Sequence, residues 1–288
     1  MKNKERHIEI PDCWEELTEA DWREVLKIRQ LVVEHGGRYS ELDITTETAR
    51  MLLKNRGVKT QINNTDYIQL VGQLAKTLGW LWHADGSTIS LVYKDTRNLI
   101  PQIQRGTGRS LQTWLGPLSH GADLVFGEFR QAFAHLKAYE KDQNPTALLA
   151  LAGLLYRPEA LEDQKHGQQL RRQPYDWDSL DDKIGRGKAM KPWQVWGIYA
   201  WFAWFCEYLT TGTFIIDGEE MCFAPIFQAK GDGGKSDGEG GMSQICLTLA
   251  ESHVFGTAKD VDRTPLLTVM QKLLMDYNTL EKIKNKKI

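Results

Sequence analysis

The stretch PWQVWGIYAWFAWFCEYL, Pro192 to Leu209, constrains the fold more than any other part of the chain. Aromatic and aliphatic residues fall on every side of the helix it would form, and a helix that is apolar all round must be covered on every face. A membrane span needs about 20 predominantly apolar residues. Here Gln194 stands near the start, Glu207 near the end, and the strongly apolar run is only Val195 to Cys206. The stretch therefore reads as a central core helix. A chain of 288 residues is long enough to supply its cover from one or two domains.

The remaining pattern is largely helical. Thr18 and Asp21 form a helix-start pattern, with acidic charge near the positive end of the helix dipole. Trp22, Val25, Leu26, Ile28 (partly off the stripe) and Val32 follow near helical spacing until Gly36-Gly37. A second helix is predicted over Thr45 to Arg56, and a third over Asp66 to Trp82 with Ile68, Val71, Leu74, Leu78 and Leu81 on one face. Ala122 to Lys141 is the clearest amphipathic segment, because Phe126, Phe129, Phe133 and Leu136 line one side. Asn144-Pro145 breaks it, and TALLALAGLLY follows as a buried helix stopped by Pro158. Residues 159–191 are polar and read as loosely packed surface helix and loop. Two more helices are predicted near Met242 to His253 and Pro265 to Lys282. STISLVYK, Ser87 to Lys94, reads as a short strand, and TFIIDGEEMCFAPIF as a hairpin turning at Asp217-Gly218.

The fold these segments predict is mainly α: a multi-helix bundle, about eight to ten helices, around the Trp-rich buried helix, with one small β-hairpin. Residues 96–119, rich in Gly, Ser, Thr and Pro, read as a loop or linker between an N-terminal helical part (1–95) and a C-terminal one (120–288). The hairpin occupies 213–227, and a flexible loop 229–241.

That loop holds the most familiar local motif. Ala229 to Ser236 reads A-x-x-x-x-G-K-S, a relaxed P-loop ending in Gly234, Lys235 and Ser236. A P-loop works because a strand delivers a tight glycine turn straight into a helix whose N–H groups face the phosphates. MCFAPIF supplies a candidate strand, but DGEGG follows the Lys-Ser pair, so the next helix is expected only around Met242. Asp232, Asp237 and Glu239 also put negative charge where phosphate would sit, and their spacing departs from the calcium-loop pattern. The loop reads as a mobile surface excursion, and no cofactor or metal is expected.

Other constellations are ordinary. Glu251, Ser252 and His253 adjoin with no G-x-S-x-G elbow, and read as a helix-end cluster. Asp181-Asp182 and Glu219-Glu220 read as solvated turns. Cys13, Cys206, Cys222 and Cys246 form no C-x-x-C pair and read as reduced, mostly buried thiols. Lys94, Arg97, Arg105 and Arg109, near Tyr93 and Trp114, have the charge-plus-aromatic texture of a single-strand nucleic-acid surface. A net charge of -2 argues against a chain whose whole surface grips nucleic acid or anionic lipid. Trp14, Trp80, Trp82, Trp114 and Trp177 lie at predicted element ends, where half-exposed rings suit protein contacts. The start, MKNKERHIEIPD, is charged and has no apolar h-region, so no targeting segment is expected there.

Three stretches carry a resemblance: IEIPDCWEELTEADW near the start, LLYRP after a pair of helices, and GMSQICLTLAESHVFGTAKDVDRTPLLTVM. Together they resemble proteins encoded in the tail-gene regions of phages and prophages of Bacteroidetes-type bacteria. The resemblance implies a virion-assembly or virion-structural role, including the tail-chaperone kind, and carries no catalytic residue. It implies other phage-like particle proteins as partners, with self-association left open, and a place in the bacterial cytoplasm or the virion. The expected function is therefore non-enzymatic, through protein contacts, with neither membrane nor nucleic acid as the main partner. The alternatives are an NTP-binding enzyme using Lys235 and Ser236, and a nucleic-acid protein using Arg97, Arg105 and Arg109.

Overall fold

The computed structural model describes residues 8–35, 38–85, 88–160, 171–228 and 239–285. Among them the chain is mainly α, with eleven α-helices and seven short strands. Two compact units emerge: Met1–Asp95 with Pro192–Gly197, and Thr96–Lys191 with Ile198–Ile288.

The first unit begins with helix α1 (Glu19–His35), followed by α2 (Glu41–Asn55) and α3 (Thr65–Ala75). Thr18 and Asp21 exchange capping hydrogen bonds, each side-chain oxygen accepting from the other's backbone N–H at 3.2 Å. Helix α2 starts at Glu41 rather than Thr45, because Ser40 and Asp43 form a capping box that satisfies the first-turn N–H groups. Helix α3 stops at Ala75, well short of Trp82; a single 3-10 turn follows, and Trp82 opens strand β1 (Trp82–Asp85). This strand pairs antiparallel with β2 (Thr88–Leu91). The buried face of α3 is Tyr67, Val71 and Ala75, continued by Leu78 and Leu81, while Ile68 is 54% exposed. The bulky Tyr67 ring takes the core position and turns the helix one residue away from the predicted stripe.

The core of this unit is aromatic. The Trp14 ring lies 5.5 Å from Trp22, 5.5 Å from Trp80 and 5.0 Å from Tyr93, in edge-to-face arrangements favoured by the ring quadrupoles. The Trp82 indole N–H donates to Thr48 Oγ1 at 3.0 Å. Trp14, Trp82 and Trp114 are therefore buried, not half-exposed; their elements are so short that even the ends lie inside a core. Trp80 is half-buried, and the Trp177 side chain lies outside the described residues.

A charged group is also folded into this unit. Asp21 is almost completely buried and accepts hydrogen bonds from the two terminal Arg56 guanidinium nitrogens, at 3.1 and 3.2 Å, and from Asn55 Nδ2 at 2.8 Å. Burial alone raises a carboxyl pKa, but hydrogen bonds from Arg56, Asn55 and Thr18 outweigh it and hold Asp21 below the ordinary carboxylate range. A depressed folded pKa stabilises fully above the unfolded value, about 3.9, and the benefit is lost as pH falls through the folded value. Asp21→Asn should thus cost about 2 kcal/mol at pH 7, with the gap to wild type closing in acid. Urea melts from neutral pH to about pH 3 check this; a gap that stays constant throughout would refute it.

The second unit contains a three-stranded antiparallel sheet in the order β3 (Gln102–Arg105), β4 (Gln112–Leu115), β5 (Arg157–Pro158). Residues 96–119 are thus not simply a linker: Ile103 opposes Trp114 in register, and both are buried. The fold has more than the single hairpin predicted from sequence. Helices α4 (Phe126–Asp142), α5 (Pro145–Leu155) and α6 (Leu180–Ala189) follow. Helix α4 buries Phe126, Phe129 and Leu136, and α5 packs against α6. Arg172, Tyr175, Lys183 and Met190 are buried, so the described part of the polar stretch 159–191 is packed, not loose.

Helix α7 (Pro192–Thr211) carries the Trp-rich sequence. Its Ile198, Trp201, Phe202, Phe205 and Leu209 are buried, while Tyr199, Ala203 and Trp204 are half-buried and Glu207 is exposed. Cover is therefore incomplete on one side. Among the described residues no helix is long and apolar enough to cross a membrane.

Strands β6 (Thr213–Ile216) and β7 (Glu219–Cys222) form the predicted hairpin, with positive φ at Asp217 (53°) and Gly218 (83°) in the turn. It ends at Cys222 instead of 227, since Ala224–Gln228 forms helix α8 with Pro225 in its first turn. The chain then runs through α9 (Glu239–Glu251), α10 (Ala258–Arg263) and α11 (Leu266–Asn285).

Candidate functional site

The phosphate-site residues Gly234, Lys235 and Ser236 lie outside the described residues, as do Asp232 and Asp237. The flanking elements are informative. The segment is entered from helix α8, so MCFAPIF does not supply the strand that a P-loop requires. It is left through α9, which starts at Glu239 instead of near Met242, with Gly240 and Gly241 in its first turn.

The basic residues are also dispersed. Arg105 ends β3 opposite Gln112, Arg109 stands in the 3-10 turn Gly108–Ser110, and half-buried Arg97 precedes the sheet. The Arg105 guanidinium lies 5.8 Å from the centroid of the Trp114 ring. That ring is buried, and Tyr93 is packed against Trp14 and Trp22 in the first unit. Neither aromatic face is available to stack on a base, which removes half of the nucleic-acid texture.

Several acidic and polar groups take structural work. Asp182 closes a capping box with Ser179 on α6, and Ser252 Oγ donates to Leu249 O at 2.7 Å at the end of α9. Glu219 and Glu220 lie exposed along β7 rather than in a turn. All four cysteines are free; Cys206 and Cys246 are buried, Cys13 is half-buried and Cys222 exposed. Asp12, Cys13 and Glu16 bring one donor atom each within 4.8 Å of one another. The Asp12 N–H already donates to Glu16 Oε2 at 3.1 Å, a local turn contact that explains the approach.

The densest charge cluster escaped the sequence reading, because its members are far apart in the chain. Glu128, on the first turn of α4, accepts from Arg157 at 2.7 Å and from Arg172 at 2.8 and 3.2 Å. Arg157 also donates to Gln173 O at 2.7 Å and Leu154 O at 2.5 Å, and Arg172 to Leu155 O at 2.7 Å. Asp123 sits 3.3 Å from Arg172. Burial pulls the Arg157 guanidinium below its ordinary value, and the Glu128 charge opposes that pull. The side chains of Glu128, Arg157 and Arg172 are 1%, 4% and 3% exposed, so no substrate reaches them. They hold α4, β5 and the segment carrying Arg172 together.

An open groove of about 710 Å³ lies on the first unit between α1 and α2. Helix α1 contributes Ala20, Arg23, Glu24, Lys27, Ile28 and Leu31, at spacings that repeat one helical face. Helix α2 contributes Glu47, Arg50, Met51 and Lys54 in the same way, and Ile62 closes one end from the following turn. Leu31 and Ile62 are 49% and 72% exposed. Lys27 pairs with Glu24 at 2.5 Å and Arg50 with Glu47 at 3.5 Å, each within its own helix. The lining mixes the apolar Ala20, Ile28, Leu31, Met51 and Ile62 with six charged side chains. One sequence signal pointed to it: Ile28 falls off the core stripe of Trp22, Val25 and Leu26.

No family model, curated protein or solved structure matches the chain.

Proposed function

We propose that this chain is a non-enzymatic assembly or structural protein of a phage-like particle, and that it works through protein contacts made by the α1–α2 groove. The observation that carries the reading is the exposed apolar pair Leu31 and Ile62 beside the groove. Exposed apolar side chains bordered by charge are what protein contacts use for their core and rim. The resemblance of the opening, LLYRP and C-terminal stretches to tail-region proteins supplies the particle context.

The test is a native pull-down of the tagged chain from its producing cells, alongside Leu31→Glu/Ile62→Glu. Tail or capsid proteins should come down with the wild type and fall at least tenfold with the variant. Both positions are exposed, so the variant's stability should stay within about 0.5 kcal/mol of wild type. Recovery of the chain alone, or of the same particle proteins with both forms, would overturn the reading.

A further inference from the structure

We infer that the α1–α2 groove takes an amphipathic helix of a partner protein, one whose apolar stripe is flanked by acidic side chains. This rests on the contact reading above and names the chemistry of the occupant. The groove follows α1 from Ala20 to Leu31, a run of roughly 16 Å at the helical rise, which matches about three turns of a docked helix. Of its apolar lining, Leu31 and Ile62 are exposed, Ile28 is half-buried and Met51 is buried, so the exposed pair is what the apolar stripe of a docked helix would meet.

Charge selects the flanks. The acids of the groove, Glu24 and Glu47, are each engaged by a cation of their own helix, Lys27 and Arg50. That leaves Arg23 on the α1 wall and Lys54 on the α2 wall, both exposed and neither in an ion pair among the described residues. A helix entering between them meets positive charge on both sides. Acidic flanks complete those two cations, whereas basic flanks set like charge against like.

The probes are two synthetic helical peptides of about 18 residues with the same Leu stripe, one flanked by Glu and one by Lys. Fluorescence anisotropy against the full chain should show saturable binding of the Glu peptide at least tenfold tighter than the Lys peptide. That preference should shrink as salt rises from about 50 to 500 mM, because rim charges are screened over a few ångströms. Arg23→Glu/Lys54→Glu should reverse the preference. Equal binding of the two peptides, no binding of either, or a preference unmoved by the reversal would overturn the inference. The pull-down separates the two levels. If Leu31→Glu/Ile62→Glu releases the particle proteins but Arg23→Glu/Lys54→Glu does not, the contact reading stands and the acidic-helix occupant falls.

Discussion

Glu128→Ala should destabilise the second unit by about 3–5 kcal/mol, the cost of breaking a buried ion cluster by removing one partner. The two guanidinium groups that converge on Glu128 would be left buried with their shared anion gone. Asp123 does not replace it, because it reaches Arg172 at 3.3 Å and Arg171 at 3.5 Å but forms no ion pair with Arg157. The backbone acceptors Gln173, Leu154 and Leu155 satisfy N–H geometry and leave the charge uncompensated. Thermal melts should fall by roughly 6–20 °C for a unit of this size. Glu128→Gln is the variant that keeps the test readable if alanine does not fold. It retains an acceptor oxygen of nearly the same shape, so its loss should be smaller than alanine's yet clearly above that of an exposed substitution. A Glu128→Gln protein as stable as wild type would mean that hydrogen bonding, and not charge, holds the cluster.

This cluster also shows where sequence reading stops. Glu128 lies in the helix that the Phe126, Phe129 and Leu136 pattern announces, so its element was legible while its partners were not. Arg157 and Arg172 sit in segments whose composition looks like polar surface, and only the tertiary fold turns them inward. Local chemistry was more readable. The Thr18–Asp21 cap, the Asn144-Pro145 break between two helices and the Asp217-Gly218 turn depend on neighbours a few residues apart, and each forms. The strands of residues 102–115 were hidden because a four-residue strand with a single buried side chain has too little alternation to stand out among glycines and serines. The groove falls between these cases. Periodicity announces α1 and the sequence places α2 from Thr45 onward, whereas the exposure of Leu31 and Ile62 depends on what packs beside them.

Gly153→Ala is the second substitution with a large expected effect, and its argument is steric. A methyl group added at Gly153 would lie 2.7 Å from the carbonyl carbon of Lys183, with the carbonyl oxygen closer still. The facing position behaves alike: a methyl at Gly187 would lie 2.7 Å from the carbonyl carbon of Leu149. The obstructing atoms are backbone, so relief requires α5 and α6 to move apart. Movement would stretch the hydrogen bond from Arg186 Nε to the Gly153 carbonyl, now 2.9 Å. Overpacking of this kind costs about 3 kcal/mol, against which the helix propensity gained by replacing glycine offsets about 1. The net for either single variant should be a loss of about 2 kcal/mol. Gly185 is the internal control: it lies on the same helix as Gly187, with nothing within 4 Å of an added methyl. Gly185→Ala should therefore gain up to about 1 kcal/mol. Because one separation of the helices relieves both clashes, Gly153→Ala/Gly187→Ala should cost less than the sum of the singles. Urea melts of the four variants decide it. A destabilisation at Gly153 no different from the Gly185 result would show that the two helices do not meet through their backbones.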